Sequence, residues 1–182
     1  QDYGRLDRSS RWRPSREEAL RLTRGHYAAI SFLDAQVGRI LHALDETGLT
    51  DRTIVVFTTD HGFALGEHSH WGKHCLHEPD LRVPLMIRDP DHRPGRTAAL
   101  TEHVDLYPTL CDLADLPRPG HWLEGTSALP QLADPRRPGK PAVLSQCRCG
   151  EDMGFSLRTA RYRYTRWVGA DGTAEHEELY DY

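Results

Sequence analysis

The residues best suited to chemistry crowd into one stretch, TTDHGFALGEHSHWGKHCLH, residues 58–77. It holds five of the eleven histidines: His61, His68, His70, His74 and His77. It also holds Asp60, Glu67, Cys75 and Lys73, one of only two lysines in the chain. A carboxylate beside an imidazole, as in Asp60–His61, can ligate a divalent cation or take part in proton transfer. A buried Asp capping the next turn, beside a surface His, is the structural alternative for the same residues. Gly62 lets the backbone turn away sharply after the pair. Glycines at 62, 66 and 72 make a compact loop that can bring backbone close to an anion, and Lys73 adds a small positive charge with up to three donors. A zinc site from His68, His70, His74 and His77 has poor spacing and no helix face to preset it.

These residues need elements to hold them. Residues 53–58 are β-branched and aromatic without alternation, the look of a strand buried on both faces. Asp60, His61 and Gly62 lie just past its carboxyl end, where ligands bind in open α/β sheets. A helix precedes it. Ser15 is its N-cap, Glu18 completes a capping box, and Ile30, Leu33, Val37, Ile40, Leu41 and Leu44 form an apolar stripe. Gly48 ends it as C′, and Gly25 marks a kink or a break. A second strand is expected at 82–90. A further helix is expected from Asp105 as N-cap, with Pro108 in its first turn and Leu106, Leu110, Leu113 and Leu116 on its buried face. Residues 117–141 read as a connecting loop in which Trp122, Leu123 and Leu129 need somewhere to pack. AVLSQ, GFSLRTA, YRYTRWV and ELYDY then read as a small antiparallel sheet, with GADGT at 169–173 as a turn. The fold class is α/β. The expected organisation is an incomplete catalytic part at 1–116, the connector at 117–141, and a C-terminal antiparallel subdomain at 142–182.

Composition narrows the partners. The net charge is −4 with no basic stripe, so nucleic acid is not an expected partner. No apolar run approaches the roughly 18 residues a membrane span needs. Cys75, Cys111, Cys147 and Cys149 match no disulfide framework or zinc ribbon, and C-x-C at 147–149 is either half a metal site or two ordinary cysteines. There is no asparagine, hence no glycosylation sequon.

VVFTTDHGFALGEHSHWGKHCLHEPDLRVPLMIRDP closely resembles a signature region of the sulfatases, in the alkaline-phosphatase-like superfamily. YAAISFLDAQVGRILHALDETGL is similar to the helix preceding that region, HVDLYPTLCDLADLP to the family's Val-Asp-Leu-x-Pro-Thr helix, and GFSLRTARYRYTRWV…ELYDY to its C-terminal antiparallel subdomain. The resemblance covers residues 15–182 and is nearest the iduronate-2-sulfatase branch. It implies the C-terminal part of an alkaline-phosphatase-like sandwich with flanking helices. It implies a sulfuric ester hydrolase acting on a sulfate ester, here a sulfated sugar, with choline sulfate or an aryl sulfate behind it. Asp60 and His61 match metal ligands, the implied ion being Ca2+. Lys73 matches the lysine that contacts sulfate, and Lys73 and His61 are the candidate catalytic residues. Phe63 falls where an aromatic residue lies near the sugar, as substrate wall or as loop plug. His68 is a substrate contact or a loop brace, while His70, His74 and His77 fall where the family fixes nothing. The family nucleophile is a formylglycine made in a Cys/Ser-x-Pro-x-Arg motif. No cysteine here has that context, and RPSR at 13–16 places Trp12 where the motif needs Cys or Ser. The nucleophile, the paired N-terminal acidic ligands and the middle lysine and histidine are therefore expected in an N-terminal part of the sulfatase that this chain needs, and the chain alone is expected to be inactive. The resemblance implies a periplasmic, secreted or lysosomal setting; the residues themselves name no compartment. The rival readings are a phosphodiesterase or phosphonate monoester hydrolase of the same superfamily, and a degenerate noncatalytic module.

Overall fold

A computed structural model describes residues 13–182. They divide into two compact units. One takes in the chain up to Thr53 together with Thr58–Pro84; the other takes in Ile54–Phe57 and Leu85–Tyr182.

The first unit begins with α1, Arg16–Glu46. Ser15 starts it as expected. Its Oγ accepts the Glu18 amide, and the Glu18 carboxylate accepts the Ser15 amide at 2.8 Å. The amide of Ser15, its hydroxyl and Arg21 together hold the Glu18 carboxyl below the ordinary range. Gly48, at φ +67°, follows the C-cap Thr47 in the left-handed region, where glycine is at no disadvantage. Gly25 does not break the helix. One interior glycine costs only about 1 kcal/mol, too little to interrupt 31 capped residues. The apolar stripe exists but is uncovered: Ile30, Leu33, Ile40 and Leu41 are all exposed, and no residue of α1 is buried.

The rest of this unit is the loop that carries the site. It holds a two-residue hairpin, β2 (Ala64–Leu65) with β3 (Trp71–Gly72), and the single turn α2, Glu78–Leu81. Ala64 and Leu76 are its apolar core.

β1, Val55–Thr58, which belongs to the second unit as far as Phe57, pairs with β4, Leu85–Arg88. Both fall inside the stretches expected to be strands, but the residues of β1 are only half-buried. A strand reaches full burial when helices cover both faces and neighbours flank both edges, and among the described residues it has one neighbour. Helix α3 spans Leu106–Leu113 and buries Pro108, Thr109 and Cys111; Leu110 and Leu116 are exposed, contrary to the expected face. The reason lies in the turn before it. Asp105 is not a simple N-cap. Its carboxylate accepts the amides of Glu102 at 2.9 Å and Thr126 at 2.7 Å, which rotates the buried face toward the 125–128 segment. Thr109 joins the same packing, its hydroxyl accepting the Ala128 amide at 2.9 Å. The connector is not structureless either, since α4, Leu129–Ala133, lies within it; Trp122 stays exposed.

Four strands end the chain as an antiparallel meander: β5 (Ala142–Cys149), β6 (Asp152–Thr159), β7 (Tyr162–Val168) and β8 (Ala174–Asp181). The turn at 169–173 forms as read, with Gly172 at φ +82° and the Gly169 amide donating to Thr173 O at 3.0 Å. One face buries polar groups: Thr165 Oγ1 and Arg163 Nη1 both donate to Ser156 Oγ, at 2.9 and 3.0 Å. The apolar residues Phe155, Leu157 and Tyr164 lie on the exposed alternate positions.

Lys140 ties this sheet's entry to α3. Its ammonium bonds Glu102 and lies 2.7 Å from Asp105 Oδ1, and Glu102 Oε1 also accepts the Leu144 amide at 2.7 Å. Burial works against the charge on Lys140, but Asp105 and Glu102 outweigh it and hold its pKa above the ordinary lysine value. A raised folded pKa stabilises fully below the unfolded value of about 10.4, and that contribution is lost as pH climbs through the higher folded value. Lys140→Met strands two carboxylates, one of them buried, and is expected to cost about 3 kcal/mol in urea unfolding at neutral pH. The difference from the wild type should shrink in strong alkali, where Lys140 itself loses its charge.

Candidate active site

One residue separates the end of β1 from Asp60. The Asp60 side chain is 82% exposed, so it is not a buried turn cap. Its Oδ1 accepts the His61 amide at 3.0 Å, and its Oδ2 lies 3.4 Å from His61 Nε2. Desolvation works against the charge, but a cationic His61 ring and the His61 amide outweigh it and hold the Asp60 carboxyl below its ordinary value.

The other nitrogen of His61 decides what Nε2 can do. Nδ1 lies 2.8 Å from Gly62 O, and a carbonyl only accepts, so Nδ1 carries the proton. In a neutral ring Nε2 then presents a lone pair toward the Asp60 carboxylate. Two acceptors face each other, an arrangement relieved by a shared positive charge, either a second proton or a metal cation. This is the tautomer a metal-ligating histidine needs, with its far nitrogen oriented by a backbone carbonyl. The pair therefore fits a cation site, though only as part of one. Calcium takes six to eight oxygens, so most of the shell must come from other groups.

Gly62 packs directly on α2. Its amide donates to Asp80 O at 2.7 Å, and a Cβ there would stand 1.8 Å from Pro79 O. Gly62→Ala must therefore push the loop off α2. The expected loss is at least about 2 kcal/mol of stability, read as a lower melting temperature, because backbone cannot move aside as a side chain can.

The hairpin beyond it is closed by Glu67, whose Oε2 accepts the Leu65 amide at 2.6 Å. Trp71 lies against Gly66, which has φ +115° and no room for a free Cβ, 3.0 Å from the indole. His68 and Ser69 are held at φ 53° and 59°, and His74 at 75°. His68 is exposed and stacks on His77, with centroids 4.2 Å apart. Phe63 is 40% exposed and stacks on His26 of α1 at 5.1 Å. Lys73 leaves β3 with its side chain exposed, and its carbonyl lies 3.1 Å from His70 Nε2. The structure thus brings Asp60 and His61 into contact and sets Phe63, His68 and Lys73 along one braced hairpin. His70 and His77 help to organise that loop. Asp80 was not visible as a participant in the sequence, because nothing there marks a one-turn helix under Gly62.

A family model for sulfatases matches residues 4–116. The chain belongs to the sulfatase family. Metal binding is general in that family, in keeping with the tautomer of His61. Human iduronate 2-sulfatase is 33% identical over 82% of this sulfatase chain and 38% of the human protein. The chain therefore spans well under half of that relative's length. A protein solved in complex with its substrate D-glucosamine-2-N,6-O-disulfate superposes with a TM-score of 0.74 at 27% identity, covering 84% of this chain and 32% of that one. A phosphonate monoester hydrolase from Silicibacter pomeroyi superposes with a TM-score of 0.65 at 27% identity, over 78% of this chain and 33% of its own. The fold of this sulfatase chain is accordingly that of the alkaline-phosphatase-like enzymes, with the four-stranded antiparallel sheet at its C-terminal end.

Proposed function

We propose that this chain supplies the C-terminal half-site of a sulfuric ester hydrolase acting on a sulfated saccharide. The observation that carries the reading is the Asp60–His61 pair, with Nδ1 committed to Gly62 O and Nε2 turned to the carboxylate, inside the matched region. Asp60 and His61 would hold the cation, for which Ca2+ is the proposal. When bound, a divalent cation supplies charge stabilisation to sulfate oxygens and their attacking group.

The chain's own residues do the rest. Asp60 remains ionised, and Gly62 O orients the ring of His61. Lys73 donates N–H groups to nonbridging sulfate oxygens as negative charge shifts during S–O cleavage. With its Nδ1–H held by the Gly62 carbonyl and its Nε2 turned to Asp60, where it would hold the cation, His61 would have no proton directed at substrate, so of the two candidate catalytic residues Lys73 is the one that can protonate the departing alcohol. Phe63 offers an apolar wall to the sugar and His68 braces the hairpin. The formylglycine nucleophile and the remaining ligands belong to a part of the domain outside these residues. The uncovered stripe of α1 and the two-donor cation site support that need.

The sugar preference rests on the neighbour whose substrate is a disulfated glucosamine and on the identity to iduronate 2-sulfatase. The second reading, phosphonate monoester hydrolysis, is favoured only by the Silicibacter pomeroyi neighbour. Turnover of a 6-O-sulfated glucosamine and of a phosphonate monoester by a polypeptide carrying the whole domain separates the two. The sulfate ester should be hydrolysed by far the faster; preference for the phosphonate would overturn the reading. The 182-residue chain by itself should release no sulfate.

A further inference from the structure

A second set of donors lies in the same loop. His70, Cys75 and Asp80 each offer one ligand atom, and the three atoms lie within 4.8 Å of one another. Asp80 is 3% exposed. Its Oδ2 accepts the Cys75 amide at 2.8 Å, while its Oδ1 is buried with no hydrogen-bond partner. A buried carboxylate oxygen left unsatisfied is costly, and bound metal is one of the few things that relieves it beside a thiol and an imidazole. His70 is held in place by its contact with Lys73 O, and Cys75 is not in a disulfide.

The geometry is close to what a small cation needs. Tetrahedral zinc, with bonds of about 2.0–2.3 Å, separates its ligand atoms by roughly 3.3–3.8 Å. The separations between the three ligand atoms would shrink by at most about 1.5 Å. The donor types choose the ion. Nitrogen, sulfur and oxygen together suit borderline Zn2+ and not Ca2+ or Mg2+, which prefer oxygen throughout. From this we infer that His70, Cys75 and Asp80 form a Zn2+ site, chemically distinct from the Asp60–His61 pair. Three protein ligands leave a fourth position for water. The ion fastens the 70–80 segment across Lys73, whose carbonyl His70 touches, and onto Asp80, whose carbonyl holds Gly62.

Cobalt tests this, because a thiolate bound to Co2+ gives a charge-transfer band. Titrating the metal-free protein with Co2+ should raise that band to saturation at one equivalent, and Zn2+ should bleach it. Cys75→Ser should abolish the band. Asp80→Asn and His70→Gln should each weaken Co2+ binding by roughly tenfold or more. Asp60→Ala should change neither the band nor the affinity. The inference is overturned by the absence of a band, by a band of full strength in Cys75→Ser, or by its loss in Asp60→Ala. Should Asp80→Asn fail to fold, its side-chain oxygen accepting the Cys75 amide and its NH2 left buried without an acceptor, Cys75→Ser and His70→Gln decide.

Discussion

Asp60→Ala, made in a polypeptide with the whole sulfatase domain, is expected to lower kcat/KM for a sulfate ester by roughly a thousandfold. The carboxylate is exposed and 3.4 Å from His61 Nε2, so under the proposed function its removal takes away the charged member of the pair proposed to hold the cation. Little stability should go with it. An 82% exposed side chain bonded mainly to its neighbour's amide contributes almost nothing to packing. The melting temperature without added metal should therefore match the wild type while activity collapses. Asp60→Asn should fall between, and raising Ca2+ should restore part of its rate, since the amide keeps one oxygen ligand. An activity loss that no cation concentration eases, with a parallel loss of stability, would point to a structural role instead.

Lys73→Ala is expected to cost roughly a hundredfold or more in kcat/KM, chiefly through kcat. Lys73 is exposed, so its long side chain holds no core together, and any effect on the melting temperature should be small. Lys73→Arg retains charge but changes donor geometry, and should recover only part of the lost rate. Cation affinity should be unaltered in both variants, which distinguishes loss of the sulfate contact from damage to the Asp60–His61 pair. Activity within a fewfold of wild type in Lys73→Ala would remove this residue from the site.

Local signals were the most readable part of the chain. The Ser15–Glu18 capping box and the left-handed Gly48 depend on a few adjacent residues, and both ends of α1 follow from them. The C-terminal meander was legible for the same reason, with alternation and a turn set by Asp171 and Gly172. What the sequence hid depends on contacts between distant positions. The buried face of α3 turns because Asp105 is held by Thr126 and Lys140, and no helical periodicity reports that. Glu102 and Lys140, 38 residues apart, are joined in the fold alone. Within the candidate site, the residue types of Asp60, His61 and Lys73 are what single them out as candidates in the sequence. The bond from His61 Nδ1 to Gly62 O, which prepares Nε2, and the burial of Asp80 required coordinates.

The most direct test is a crystal structure of the whole-domain protein with Ca2+ and a sulfated glucosamine. A cation about 2.3–2.6 Å from an Asp60 oxygen, bonded also to His61 Nε2, with Lys73 Nζ hydrogen-bonded to a sulfate oxygen, is the predicted result. A cation bound elsewhere, with His61 Nε2 protonated against Asp60 and Lys73 turned to solvent, would contradict it.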